Sequence, residues 1–286
     1  MERIVTWKRR VYSIKSFWNR PLPKIEGDLA EALRVLRDYF AEKEIPFVLI
    51  GALVPALLLS SEVGARETRD ADHALKLTSW AAWEAVIADL VKLGFTRGRG
   101  EQEHRLYYRT AEIDLILYGI TNGPEEVLIW RKSGNRMNMT GFSDVFRYAK
   151  PTEVTQGLTL PVVPLWLFAV LKVIAYLDRA FPRDLSDLIY VLERYESSGE
   201  ESRRFEIASG VEGITYDTSG AYLLGRDVRE NAWGKATALV KDFVGQVADE
   251  YHPVVNMILR QENQLNSDTR RRAVFKLIEG LRKGLA

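Results

Sequence analysis

Asp70 and Asp72 stand two residues apart in the segment RETRDAD, which runs from Arg66 to Asp72. Residues 68–77 alternate in polarity, which predicts a strand. Alternation then puts both carboxylates on one face of a sheet. Two carboxylates held that close repel one another unless a cation lies between them. Their hard oxygen donors suit Mg²⁺, which binds one or two carboxylates together with substrate phosphates. A third acid, Asp114, lies inside the apolar run AEIDLILYG. A carboxylate so placed is rarely left unpaired, and two outcomes are open. It pairs with Arg105 or Arg109, or it joins Asp70 and Asp72 across neighbouring strands in a site for two ions. A D-x-D on its own is common by chance, and a solvated strand end is the plain alternative.

Lys172 is the only charge in the apolar stretch PLWLFAVLKVIAYL, Pro164 to Leu177. A lysine there needs a partner or a wet cleft, or else its stem packs while its ammonium reaches solvent. Arg179 lies seven residues on, which puts it on the same helical face.

These residues must be carried by elements. Leu29, Leu33, Leu36 and Phe40 space as one face of a helix over 28–43. Pro46 then opens a buried strand, Phe47 to Gly51, followed by an apolar helix over 52–60. Trp80, Trp83, Ile87, Leu90 and Val91 form the stripe of a further helix, with Gly94 as its C-terminal cap. Strands are expected over 104–109 and 111–118. After Pro161 the pattern turns helical, with one helix from Pro164 to about Ala180 and another from Arg183 to Tyr195. Residues 196–204 read as a polar loop, and two more helices are expected at about 230–250 and 252–283. The fold class is therefore α+β, a mixed sheet flanked by helices and then a mainly helical region. The expected domains are residues 1–155 and 156–286.

The segments FVLIGALVPALLL, RETRDAD and EIDLIL together resemble the nucleotidyltransferase superfamily of the polymerase-β type. The spaced form Arg66, Thr68, Asp70, Asp72 is most similar to the abortive-infection (AbiE) toxin nucleotidyltransferases of type IV toxin–antitoxin pairs. The resemblance implies that Gly51 and Ala52 form the turn that holds nucleotide phosphates. It implies that Asp70, Asp72 and Asp114 hold Mg²⁺, with two ions and an NTP as substrate. Ala52 stands where that family has Gly or Ser; it keeps the amide donor and supplies no hydroxyl. LKVIAYLDRAFPRDLSDLIYVL resembles the helical segment of the same family, with Lys172, Arg179, Asp184 and Asp187 at its charged positions. On this reading Lys172 meets the triphosphate as a point charge and Arg179 assists it. Asp184 and Asp187 orient these bases or the acceptor, or cap a helix. The implied acceptor is an RNA 3′ end such as tRNA, and the implied partner is an antitoxin protein. GAYLLGRDV, from Gly220 to Val228, only faintly resembles a phosphate loop.

Composition bounds the alternatives. The chain has 286 residues, no cysteine and a net charge of +1. The absence of cysteine excludes disulfides, thiolate metal sites and a Cys nucleophile, and it agrees with a cytoplasmic setting. No apolar segment follows the basic MERIVTWKRR start, so no secretory leader is expected. The longest apolar run falls short of the roughly 20 residues a membrane helix needs. The near-zero charge is a sum of unlike parts: +6 over residues 7–24, +5 over 270–286 and −10 between 25 and 269. The basic ends, with Trp7, Tyr12, Phe17 and Trp18, suit phosphate contact and stacking, or simply solvate and pack the termini. His73, His104 and His252 are scattered and read as structural or surface residues. Beside the RNA-modifying enzyme stand two other classes. One is a transferase acting on a small, aminoglycoside-like hydroxyl compound, which the acidic body favours. The other is a nucleotide-binding module that has lost its chemistry.

Overall fold

A computed structural model describes residues 25–59, 70–100, 102–120, 126–196, 202–232 and 234–286. Arg66 and Thr68, and the basic segment 7–24, lie outside the described residues.

The chain opens with α1 (Gly27–Glu42), whose Leu33, Leu36 and Phe40 are fully buried as their spacing predicts. β1 (Phe47–Ile50) and the six-residue α2 (Leu53–Leu58) follow. Then come β2 (Asp70–Lys76), α3 (Trp80–Lys92), the short β3 (Thr96–Arg97), β4 (Arg105–Tyr108) and β5 (Ala111–Tyr118). Ser79 caps α3 by accepting from the Ala82 amide at 3.1 Å. Of the stripe expected on α3, Trp83, Ile87 and Leu90 are buried, whereas Val91 turns to solvent.

A small hairpin, β6 (Val127–Ile129) and β7 (Arg136–Asn138), leads into α4 (Phe142–Tyr148). A second hairpin, β8 (Lys150–Thr155) and β9 (Leu158–Val162), returns to the main sheet. The sheet has seven strands in the order β3-β4-β5-β2-β1-β9-β8. β2 is parallel to β5 and antiparallel to β1, and β1 is parallel to β9, so the sheet is mixed. The expected boundary at residue 155 falls inside the β8–β9 hairpin, and the helical run begins only at Leu165.

The second half is all helical: α5 (Leu165–Arg179), α6 (Pro182–Arg194), α7 (Ser202–Gly210), α8 (Tyr216–Asn231), α9 (Gly234–Gln246), α10 (Pro253–Gln261) and α11 (Asp268–Leu285). Where two helices are expected after residue 230, the structure has three, α9, α10 and α11. Asn263, at φ +56, and the Ser267 cap divide the second expected helix into α10 and α11. Ser202 to Arg204, expected in a loop, begin α7. The GAYLLGRDV segment is the middle of α8 and not a phosphate loop. A Cβ on Gly225 would come within 2.4 Å of the Leu281 carbonyl, so this glycine lets α8 and α11 touch. No helix among the described residues is long and apolar enough to cross a membrane.

Candidate active site

The carboxylates are placed by strand register. Ile50 on β1 lies opposite Asp72 on β2, Asp72 lies opposite Asp114 on β5, and Asp114 lies opposite Arg105 on β4. Residues opposite one another on adjacent strands share a sheet face, with backbones about 4.8 Å apart. Arg105, Asp114 and Asp72 therefore form one row across the sheet, and Asp70 joins the same face two residues before Asp72.

The turn after β1 closes one end of this row. Gly51 has φ +76, and a Cβ there would lie 1.8 Å from Asp72 Oδ2. The Asp72 carboxylate thus rests against bare backbone, in a conformation that only glycine adopts freely. Ala52 has φ −65 and ψ −18, ordinary right-handed values, so the unusual conformation falls on Gly51 alone.

Asp114 has 13% of its side-chain surface exposed and is held by a fork. Arg105 donates from Nε to Oδ1 at 2.8 Å and from Nη2 to Oδ2 at 2.7 Å. Its third nitrogen, Nη1, meets Glu112 Oε2 at 2.8 Å. Of the two outcomes open for Asp114, the ion pair is present, and the partner is Arg105. Arg109 instead turns away to Asp28 and Glu31 on α1. His104, read from sequence as structural or surface, has its Nε2 4.0 Å from Asp114 Oδ2 and its ring 5.4 Å from that of Trp130. Burial holds its pKa below the ordinary value, against the pull of Asp114. His73 points to the opposite face and is wholly buried near the Phe47 ring, where burial pushes its pKa down to about 4.

The helical half brings two bases to the same face. Lys172 of α5 is mostly buried, and its ammonium is not snorkelling. It lies 2.5 Å from Asp187 Oδ2 and 3.2 Å from Asp184 Oδ1, both on α6. Arg179, at the end of α5, donates from Nε and Nη2 to the two oxygens of Asp184, each at 2.9 Å. Asp184 is 2% exposed and binds both bases at once. Burial works against the charge of Arg179. The Asp184 hydrogen bonds and charge, with the charge of Asp72 behind them, nevertheless hold its pKa above the ordinary value.

The electrostatic balance shows most clearly at Asp72. Burial, then the charge of Asp114, and also that of Asp70, push its pKa up to about 7. The fields of Lys172 and Arg105 oppose this without cancelling it. Asp72 is thus a desolvated carboxylate with like charges beside it. Among the described residues, no group of three or more Asp, Glu or His side chains is arranged to hold a metal ion. The donors fit a hard divalent cation as the pair Asp70 and Asp72, with Asp114 beside them but bound to Arg105.

Two further features escaped the sequence reading. The sequence offers Arg105 only as one of two available partners, whereas its register makes it the end of the row. Phe181 lies at the break between α5 and α6, where spacing gives it no role. Its ring is 57% exposed, and the Arg179 guanidinium carbon lies 5.1 Å from the ring centre. Ala180, at φ +53, and Pro182 fix the corner that presents it.

Part of the basic C-terminal run is turned into the fold, while Arg272, Lys276 and Lys283 stay exposed. Arg270 pairs with Glu193 and Glu262, and Arg271 is buried on Asn256 and the Leu265 carbonyl. Arg282 donates to the Val244 and Val247 carbonyls, and Lys283 to those of Glu212 and Gly213.

No protein-family model and no curated protein matches the chain. Among solved structures, the chain is similar to an antigenic nucleotidyltransferase-like protein from Paracoccidioides brasiliensis. The two share 12% identity at a TM-score of 0.38, over 67% of this chain and 91% of that one. A superposition that loose assigns neither an activity nor a site residue to this chain.

Proposed function

We propose that the chain is a divalent-metal-dependent nucleotidyltransferase that moves a nucleoside monophosphate from an NTP to a hydroxyl acceptor. The observation that carries this reading is the row of Asp72 and Asp114 beside the Gly51 turn, with Asp70 on the same face and the charge of Lys172 felt at Asp72. Asp70 and Asp72 would hold the ion, which supplies positive charge to the triphosphate and to the leaving pyrophosphate. Gly51 leaves room for Asp72 and, with Ala52, turns the backbone toward the phosphates. Lys172, held in place by Asp184 and Asp187, presents its ammonium to the triphosphate. Arg179 adds a second positive charge at the mouth. The acceptor oxygen bonds to the α-phosphorus as the bridge to the β-phosphate breaks, and the hydroxyl proton passes to a carboxylate of the row.

The AbiE-type resemblance adds an RNA 3′ end as acceptor and an antitoxin protein as partner. One observation bears on a second acceptor class: Arg270, Arg271 and Arg282 are engaged inside the fold, which leaves Arg272, Lys276 and Lys283 as the exposed C-terminal bases. The acidic middle of the chain suits a small, neutral or cationic hydroxyl compound. The experiment is incubation with Mg²⁺ and each labelled NTP, with total tRNA in one arm and a panel of hydroxylated small molecules in the other. Label should move to one acceptor class in the wild type and to neither in Asp70→Ala or Asp72→Ala. Transfer that persists in both variants contradicts the site.

A further inference from the structure

Asp114, the acid that the sequence offers as a third metal ligand, has both oxygens engaged by one guanidinium. The pairing is built in at several levels. Register sets Arg105 directly across from Asp114, and Glu112, two residues earlier on β5, holds the remaining nitrogen. The three contacts span 2.7–2.8 Å, and they engage Nε, Nη1 and Nη2 of the fork. A guanidinium so engaged is a fixed positive charge that does not titrate.

We propose that Arg105 takes the place of one of two divalent ions, so that the site accepts a single ion at Asp70–Asp72. This rests on the nucleotidyltransferase reading and sharpens it. Sites that hold two ions use them to charge both the attacking and the leaving oxygen. Here the charge on the Asp114 side is carried by the chain itself. It is present at any metal concentration and keeps Asp114 from bridging to an ion. Asp114 then acts as a positioning residue, through Arg105, and not as a ligand.

The test is equilibrium dialysis of the full chain with Mn²⁺, with and without a non-hydrolysable ATP analogue, counting bound ions per chain. Wild type should saturate at one ion. Asp114→Asn should also bind one, with an affinity within about threefold of wild type, whereas Asp72→Asn should lose at least tenfold. Arg105→Gln, where it folds, should gain a second ion, and Arg105→Lys should remain at one. Two ions on the wild type would overturn the Arg105 assignment while leaving the nucleotidyltransferase reading intact. The same holds if Asp114→Asn weakens binding as much as Asp72→Asn. A folded wild type that binds neither Mn²⁺ nor the analogue would overturn both.

Discussion

Asp72 carries two burdens that pull in opposite directions. Its carboxylate rests against the Gly51 turn, and burial, then the like charges of Asp114 and Asp70, make its charge there a cost to stability. Its folded pKa is raised to about 7 from 3.8, so the folded state binds a proton more tightly than the unfolded chain. Stability therefore falls as pH rises from about 4 to 7, and the full cost is present above 7. Asp72→Asn should remove that cost. In EDTA at pH 8 the variant should be about 1–3 kcal/mol more stable than wild type in urea unfolding. The difference should shrink toward zero near pH 4, while nucleotidyl transfer is lost. A site held against its own repulsion commonly shows this exchange of stability for function. Gly51→Ala should act the other way. Its Cβ meets Asp72 and its φ is disfavoured, so a loss of about 1–3 kcal/mol is expected, together with weaker NTP binding. At this scale the sequence was informative because strand alternation needs no tertiary knowledge to put Asp70 and Asp72 on one face. The partner of Asp114 was legible only in part. Choosing Arg105 over Arg109 requires the two-residue turn Arg109–Thr110, which sets Arg105 opposite Asp114.

At the scale of elements, the corner between α5 and α6 does the positioning. Asp184 is almost fully buried beneath two cations, so removing its charge leaves Lys172 and Arg179 without their shared counter-ion. Asp184→Asn should destabilise the protein by about 3–5 kcal/mol, the usual cost of breaking a buried pair, as thermal or urea unfolding would show. Phe181 sits on the same corner but faces solvent. Phe181→Ala should leave stability within about 0.5 kcal/mol, because little apolar surface is uncovered. If its ring meets the substrate, KM should rise with kcat little changed. The long helices α1, α3, α5 and α6 were readable from apolar periodicity and from the two prolines, Pro164 and Pro182. The C-terminal region was readable as helical, but the break between α10 and α11 was not, because it depends on signals that periodicity does not carry. Asn263 adopts a left-handed turn, and Ser267 caps α11 by accepting from the Arg270 amide at 3.2 Å. The buried glycines of α8, which suggested a phosphate loop, are a helix-packing device.

For the whole molecule, the instructive property is charge. A sum of +1 hides two basic ends and an acidic middle, and counting residues could not show where those charges go. Arg270 and Arg282 are turned inward onto carboxylates and carbonyls, while Arg272 and Lys276 stay exposed, a division that only the packed helices reveal. A polyanionic acceptor making 6–10 phosphate contacts loses roughly 10³–10⁵ in affinity between 50 and 200 mM salt. A small, uncharged hydroxyl acceptor should instead weaken by less than about tenfold over that range. Measuring acceptor KM against salt checks this. The central claim is that Asp70 and Asp72 form a metal-dependent nucleotide site. Calorimetric titration of the full chain with each NTP tests it most directly, in Mg²⁺, in EDTA and in the Asp72→Asn variant, with folding checked by unfolding in urea. The account predicts saturable binding of at least one NTP with Mg²⁺, and none in EDTA or in the folded variant. A folded wild type that binds no NTP in Mg²⁺, or a variant that binds as wild type does, would contradict it.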